Sequence, residues 1–386
     1  MSKTKIFVVY IGYLPAKNFG GPVISIGNLI EQCSDEFDFY VITYNHDHKD
    51  NTPFDIEHGV FVKYGNANVM YLAEDEFTSD KLVAAATEIK PDLIYHNGLY
   101  NYKQLICSIN SSKKLNIPLI IAPRGELNDN AYKHKIYKKF FYIKALKLSG
   151  ALKHCFFHST SDDEKKSIIK RLSPKEENIH TIFNLPTVPK DYYTRNHTKQ
   201  KNKNELRIVF ISRIHPIKNL KFCFEALNDV KTEGVITFDI YGPKENEEYY
   251  NECMQQATLF PDQISVKYCG ALKHDDIPEV LKKYQLFFLP TLNENYGHAI
   301  VEAMLADCPV LISDNTPWTS INDYQAGRAI SLANKDDFVR VIEDFTSMEP
   351  DKYNNVIENL RNYAEAELKL VQTKEKYTGM FHQRAL

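Results

Sequence analysis

Two glutamates eight residues apart, Glu294 and Glu302, stand in the segment NENYGHAIVEAMLADCPVLISDNTPW at 293–318. Nearly every residue over 298–306 suits a core, so Glu302 is expected to be buried or half buried. A buried carboxylate is costly unless something binds it. The spacing places Glu294 on a loop at the mouth of a helix and Glu302 about two turns down that helix. Both carboxylates can then face one small ligand rich in hydroxyl groups. Gly297 lies between them, after the strand-like run 286–290, and the amides of the helix start are free to meet an anion. The competing reading is a structural glutamate at a helix cap beside a second one paired to Arg or Lys.

A ligand with an anionic end for the amides and a polyol end for the carboxylates is a nucleotide sugar. Its diphosphate gains negative charge as the bond to the sugar breaks, and cations fixed nearby stabilise that charge most in the transition state. Arg213 and Lys218 flank a turn containing Pro216, just after the strand-like run 207–212. Arg offers a planar fork and Lys a point charge; the alternative is a solvated loop with two surface cations. A second glycine-bearing loop, NFGGPVISIGNLI, follows Lys17 and sets Gly20 and Gly21 before an apolar helix, with Pro22 at a first helical position. A glycine pair also marks any tight turn. The chain contains no Asp-x-Asp pair for a divalent metal, and the patch His46, Asp47, His48 reads as an exposed polar loop. No metal ligand and no cofactor is therefore expected.

These residues need rigid elements to hold them. The chain's 386 residues suffice for two domains of ordinary size. Short apolar runs alternate with helix-like segments, the pattern of parallel α/β sheets. Strands are expected at 5–12, 37–43, 93–96, 119–122 and 155–159, then at 207–212, 237–241, 265–268, 286–289 and 310–312. The polar, aperiodic stretch 191–205 between the two sets reads as a linker. Ligands of open parallel sheets bind beyond the carboxyl ends of the strands, where all the motifs above fall.

Composition narrows the class. A formal net charge of -3 gives no case for nucleic acid binding. Seven cysteines with no C-x2-C pair argue against a disulfide framework or zinc ribbon. The opening MSKTKIFVVYIGYL has too short an apolar run for a signal peptide, and no stretch reaches the roughly 18 apolar residues of a membrane span. The expected compartment is the cytosol. No strand is followed by G-x-G-x-x-G, which disfavours a dinucleotide dehydrogenase.

The pattern E-x7-E from Glu294 to Glu302, followed by AMLADCPVLISD, resembles the donor-site signature of glycosyltransferase family 4, retaining enzymes of the GT-B fold. RIVFISRIHPIKNLKFCFEAL at 207–227 is similar to the phosphate-clamp segment of that family, and PLIIAPRGELN and HSTSDDEKKSI extend the likeness over most of the chain. The resemblance implies two Rossmann-like domains whose parallel sheets face each other across a cleft. They are an acceptor-side domain at 1–190 and a nucleotide-sugar domain at 206–363, with the helix 364–386 packing back on the first.

It also implies roles. Arg213 and Lys218 meet the diphosphate, Glu294 the sugar hydroxyls and Glu302 the ribose hydroxyls. The backbone of Gly297, His298, Ala299 and Ile300 meets the diphosphate, Leu272 and its neighbours lie near the base, and Gly20 and Gly21 approach the donor phosphates or the acceptor. The implied activity is transfer of a hexose or N-acetylhexosamine, with UDP-sugar the favoured donor, to a glycan or lipid-linked acceptor in surface polysaccharide assembly. Retention is attributed in this family to same-face attack, with the leaving phosphate oxygen taking the acceptor proton. A small-molecule acceptor and a nonenzymatic nucleotide- or glycan-binding scaffold are the alternatives.

The chain departs from the family pattern in places. The first-domain loop that often carries a His reads APRGEL at 122–127, while His96 in YHNG aligns with another His-bearing loop. His96, Arg124 and Glu126 are candidate acceptor or sugar contacts; Arg124 and Glu126 could instead pair across a turn. Asp307 stands where Gly is common. Finally, 131–154 holds seven lysines and no acids among aromatic and aliphatic residues. It reads either as a face for an anionic membrane at the inner leaflet or as a basic face that meets acids elsewhere in the fold.

Overall fold

The computed structural model describes residues 3–16, 19–133, 136–189, 191–192, 194, 199–257, 260–273, 276–294 and 296–385. Lys17 and Asn18, where the glycine loop begins, 134–135 of the basic stretch, 193 and 195–198 of the expected linker, and Asn295 of the donor motif lie outside the described residues. The chain divides into two compact units, Met1–Leu185 with Leu370–Leu386, and Pro186–Lys369.

Among the described residues the first unit has eight strands: β1 (Thr4–Val9), β2 (Phe37–Tyr44), β3 (Phe61–Tyr64), β4 (Ala67–Leu72), β5 (Leu93–Asn97), β6 (Leu119–Ala122), β7 (Phe156–Ser159) and β8 (Ile179–Thr181). Their order is β3-β4-β2-β1-β5-β6-β7-β8, parallel except for the β3–β4 hairpin. Alternate residues of each strand feed two cores. Phe7, Val9, Ile94 and Ile121 face one side, and Ile6, Val8, Tyr95 and Ile120 the other. The order reverses between β1 and β5, so their carboxyl ends open a crevice that receives the loop after β1 and the residues after Asn97.

The last helix, Leu370–Ala385, belongs to this unit. It buries Tyr377, Met380 and Phe381 in the core of Ile6 and Val8. Phe381 sets its ring edge-on to Phe37 at 5.4 Å, and Lys374 pairs with Asp35 at 2.8 Å. A fully buried Phe contributes roughly 1.5–3 kcal/mol, ample to hold the helix in place. It is separated from helix Pro350–Leu368 by Lys369 in the left-handed region.

Among the described residues the second unit has six strands: β9 (Glu205–Ile211), β10 (Val235–Tyr241), β11 (Ile264–Gly270), β12 (Leu286–Leu289), β13 (Val310–Ser313) and β14 (Gly327–Ile330). The order is β11-β10-β9-β12-β13-β14, parallel throughout. Counting within the unit, this is the doubly wound order with its switch point between β9 and β12. Described residues of the expected linker are tied into this unit: Lys201 is buried and donates to the carbonyls of Asn202 and Thr346 at 2.7 and 3.1 Å.

Four strands escaped the sequence reading. β3 and β4 join through Gly65 and Asn66, a two-residue hairpin turn with Gly65 at φ 56°. β8 and β14 are only three and four residues long, and β14, GRAI, opens on a glycine.

Candidate functional site

The second unit's switch point carries the charged residues. After β9 the chain is pinned to the end of β10, where Ser212 donates its amide to the Tyr241 carbonyl at 3.1 Å and Ile214 to that of Pro243 at 2.9 Å. Gly242 makes this approach possible. A Cβ at that position would lie 1.8 Å from the Ser212 carbonyl oxygen. Arg213, with 46% of its side chain exposed, pairs with Glu245. A short 3-10 turn, Pro216–Lys218, follows, capped by the His215 ring accepting from the Ile217 amide at 3.2 Å.

This turn is stitched to the chain after β12. The Ile217 carbonyl accepts from the Leu292 amide at 2.8 Å and from the Thr291 hydroxyl at 3.0 Å, while Asn219 donates to the Pro290 carbonyl at 3.0 Å. Lys218 and Glu294 consequently meet as an ion pair, with side chains 12% and 14% exposed. The Glu294 amide donates to the Asn315 carbonyl at 3.0 Å, fixing the loop from the β13 side.

Gly297 adopts the left-handed region, φ 75°, and caps helix His298–Leu305. Its carbonyl accepts from the amides of Ile300 and Val301 at 2.9 and 3.1 Å. His298 and Ala299 open the first turn, so the partial positive charge of the helix start stands beside the Glu294 loop. Because the helix begins only after Gly297, Glu302 is its fifth residue, just over one turn down rather than two.

Glu302 is 2% exposed. Desolvation pushes its carboxyl up to about 7, opposed by the hydrogen bond from the Thr187 hydroxyl at 3.4 Å. Tyr296 sits beside it, buried, edge-on to Trp318 at 5.4 Å. Leu272 lies half-buried just beyond β11, at the far side of β10 from the ion pair.

In the first unit, Gly20 at φ 81° caps helix Gly21–Cys33 at the switch point. His96 is fully buried, its Nδ1 on the Ser108 hydroxyl at 2.9 Å, and desolvation drives its pKa down to about 3. The ring is therefore neutral near pH 7.

Arg124 and Glu126 do not pair with each other. The Arg124 guanidinium donates to Asn97 Oδ1 at 2.8 Å, Asn184 Oδ1 at 2.7 Å and the Tyr95 hydroxyl at 2.9 Å. Glu126 accepts from the amides of Leu99 and Tyr100 at 2.6 and 2.9 Å, and burial raises its pKa. These two residues shape the chain after β5 and β6 through the groups they hold. His46 reaches Glu74 at 3.6 Å, and among the described residues no group of three His, Cys, Asp or Glu is placed to hold a metal ion.

Several partners were not visible in the sequence. Glu245 carried one signal, an acid in a loop directly after a strand. Thr187 and Asn184 carried none, since they lie far from Glu302 and Arg124 along the chain.

Residues 194–363, which make up the second unit apart from its first and last few residues, match the family model described as glycosyl transferases group 1. Among solved structures, Anabaena HepE in complex with UDP and glucose superposes with a TM-score of 0.68 at 16% identity, covering 98% of this chain and 100% of that one. A glycosyltransferase from Rickettsia africae gives 0.72 at 14% identity, covering 100% and 99%. Two doubly wound units of this kind make the fold GT-B. A probable sucrose-phosphate synthase of Thermosipho melanesiensis is 23% identical over 237 residues, 56% of this chain and 54% of the relative. The chain spans about half the length of the curated relatives it matches.

Proposed function

We propose that the chain is a retaining glycosyltransferase of family 4, acting on a nucleoside diphosphate sugar with UDP-sugar favoured. The observation that carries this reading is the Lys218–Glu294 pair at the switch point of the second unit, one loop away from the buried Glu302. A cation for phosphate, a carboxylate for sugar hydroxyls and a second carboxylate for ribose hydroxyls are set on three rigid supports. The HepE complex, whose ligands are UDP and glucose, supports the choice of donor.

In this reading Lys218 and Arg213 take the charge that builds on the departing diphosphate, aided by the amides of 297–300. Glu294 exchanges Lys218 for the sugar hydroxyls when donor binds. Glu302 accepts from the ribose, and Leu272 lines the base. Gly20 and Gly21 let the backbone come close to the donor phosphates or the acceptor, and the reaction needs no metal because side-chain cations and a helix start neutralise the leaving group. The leaving phosphate oxygen takes the acceptor proton. Arg124 and Glu126 act by positioning the loops they hold. For His96 to touch a sugar it would have to use Nε2, which has no hydrogen-bond partner among the described residues.

The acceptor is a glycan or lipid-linked oligosaccharide in surface polysaccharide assembly, reached from the inner face of the membrane. A small-molecule acceptor is the second reading, favoured by the likeness to the probable sucrose-phosphate synthase. Incubation with UDP-glucose, UDP-N-acetylglucosamine and GDP-mannose, followed by release of nucleoside diphosphate, tests the activity. Slow hydrolysis of one donor, lost in Lys218→Ala, is expected; no release from any donor with a lipid-phosphate acceptor present counts against it.

A further inference from the structure

The helix Ile136–Leu148 of the first unit has two apolar faces, and only one is used by the fold. Inward, Ile143 and Leu146 are buried, and Tyr142 packs on Tyr100 at 5.9 Å. Outward, Tyr137, Phe141 and Leu148 are 79%, 65% and 79% exposed, with Phe140 and Ile136 exposed beside them. Positions 137, 141, 144 and 148 fall on one stripe of a 3.6-residue helix, so these side chains form a continuous ridge. One aromatic residue carries on the order of 150–250 Å² of surface, which makes this ridge as large as the patches that mark interaction sites.

Charge identifies the occupant. Lys144 stands within the ridge, between Phe141 and Leu148, and Lys133, Lys138, Lys147 and Lys153 are exposed around it, with no acid anywhere in 131–154. Lysine is depleted from the cores of protein–protein interfaces. At a bilayer surface the same residue lays its stem along acyl chains and lifts its ammonium to the phosphates.

We infer that this helix is the membrane-docking element of the protein, with Tyr137, Phe141 and Leu148 entering the headgroup–acyl boundary of an anionic leaflet and the surrounding lysines engaging its headgroups. The inference deepens the proposed function, resting on it for the membrane-side acceptor. The ridge itself is independent of the donor site.

The test is flotation of the full chain with phosphatidylcholine vesicles and with mixed phosphatidylglycerol–phosphatidylcholine vesicles. Binding is expected to the mixed vesicles, weakened by salt. The exposed triple variant Tyr137→Ser, Phe141→Ser, Leu148→Ser should lose at least roughly tenfold in partitioning. The pair Lys138→Gln, Lys144→Gln should lose the preference for phosphatidylglycerol. All variants should keep the wild-type melting temperature and UDP response. Absence of flotation with either vesicle, or equal flotation of wild type and triple variant, overturns the inference. A concentration-dependent dimer abolished by the triple variant, without flotation, also overturns it and makes the ridge a contact between copies. Flotation without any response to UDP would instead keep the docking helix and remove the donor reading.

Discussion

Lys218 and Glu294, separated by 76 residues of chain, neutralise each other at the ends of β9 and β12 with nearly all of both side chains out of water. In the proposed reading this pair is a resting state: a diphosphate would attract the ammonium, and sugar hydroxyls would satisfy the carboxylate left behind.

Removing one partner leaves the other poorly solvated and unpaired. Lys218→Ala should destabilise the protein by about 1–3 kcal/mol and lower turnover by roughly two to three powers of ten. Adding Glu294→Ala should recover stability without recovering activity. Urea unfolding of both single variants and the double variant checks this; a fully additive loss would mean that the two residues do not interact.

Arg213 separates function from stability. Its pair with Glu245 is substantially exposed, so Arg213→Ala should change unfolding free energy by less than about 1 kcal/mol. Turnover should still fall by roughly two to three powers of ten, the usual loss on removing a transition-state charge partner. Wild-type rates in this variant would remove Arg213 from the site.

Glu302 makes stability depend on pH. Its folded pKa, about 7, lies above the unfolded value of about 4.3, so the native state binds more protons between these values. Stability without ligand should therefore fall as pH rises through that window and level off above it, by up to roughly 3.5–4 kcal/mol. Glu302→Gln should flatten the dependence and be the more stable protein near pH 8, while binding nucleotide more weakly. Urea unfolding across the window checks the slope, and normal UDP binding by the variant would make the ribose assignment wrong.

Gly242→Ala should damage fold and site together. The new Cβ would collide with the Ser212 carbonyl, and φ 141° is itself unfavourable for alanine. A loss of about 2–4 kcal/mol is expected, with weaker nucleotide binding because the Arg213 loop is displaced. Thermal unfolding with and without UDP measures both effects.

The sequence made some of this architecture plain and hid the rest for physical reasons. Strands such as Leu119–Ala122 and Leu286–Leu289 were legible because parallel strands buried on both faces read as unbroken apolar runs. The burial of Glu302 was legible because a charge amid core-type residues has nowhere else to go. That one of the two glutamates would pair with an Arg or Lys was one of the two readings of the motif, but that the pair is Lys218–Glu294 was not legible, since it arises from strand order, which places β12 beside β9 and β10 on the other side. Asp307 shows the same limit at one residue. Its place in a glycine-favouring position was visible and it does adopt φ 56°, yet its two-pronged bond to Arg361, at 3.1 and 2.7 Å, joins residues 54 apart. Arg124, read as a candidate ligand contact, bonds to Asn97, Asn184 and Tyr95, which only the folded sheet brings together.

The most direct test of the donor site is thermal unfolding of the purified protein with UDP, GDP, ADP and CMP, each with and without EDTA. A nucleotide at about a hundred times its dissociation constant adds roughly 2.7 kcal/mol of stability. The account predicts stabilisation by UDP that EDTA does not diminish and that Glu302→Gln weakens. No stabilisation by any of the four would contradict it, and stabilisation abolished by EDTA would contradict the metal-free clamp of Arg213 and Lys218.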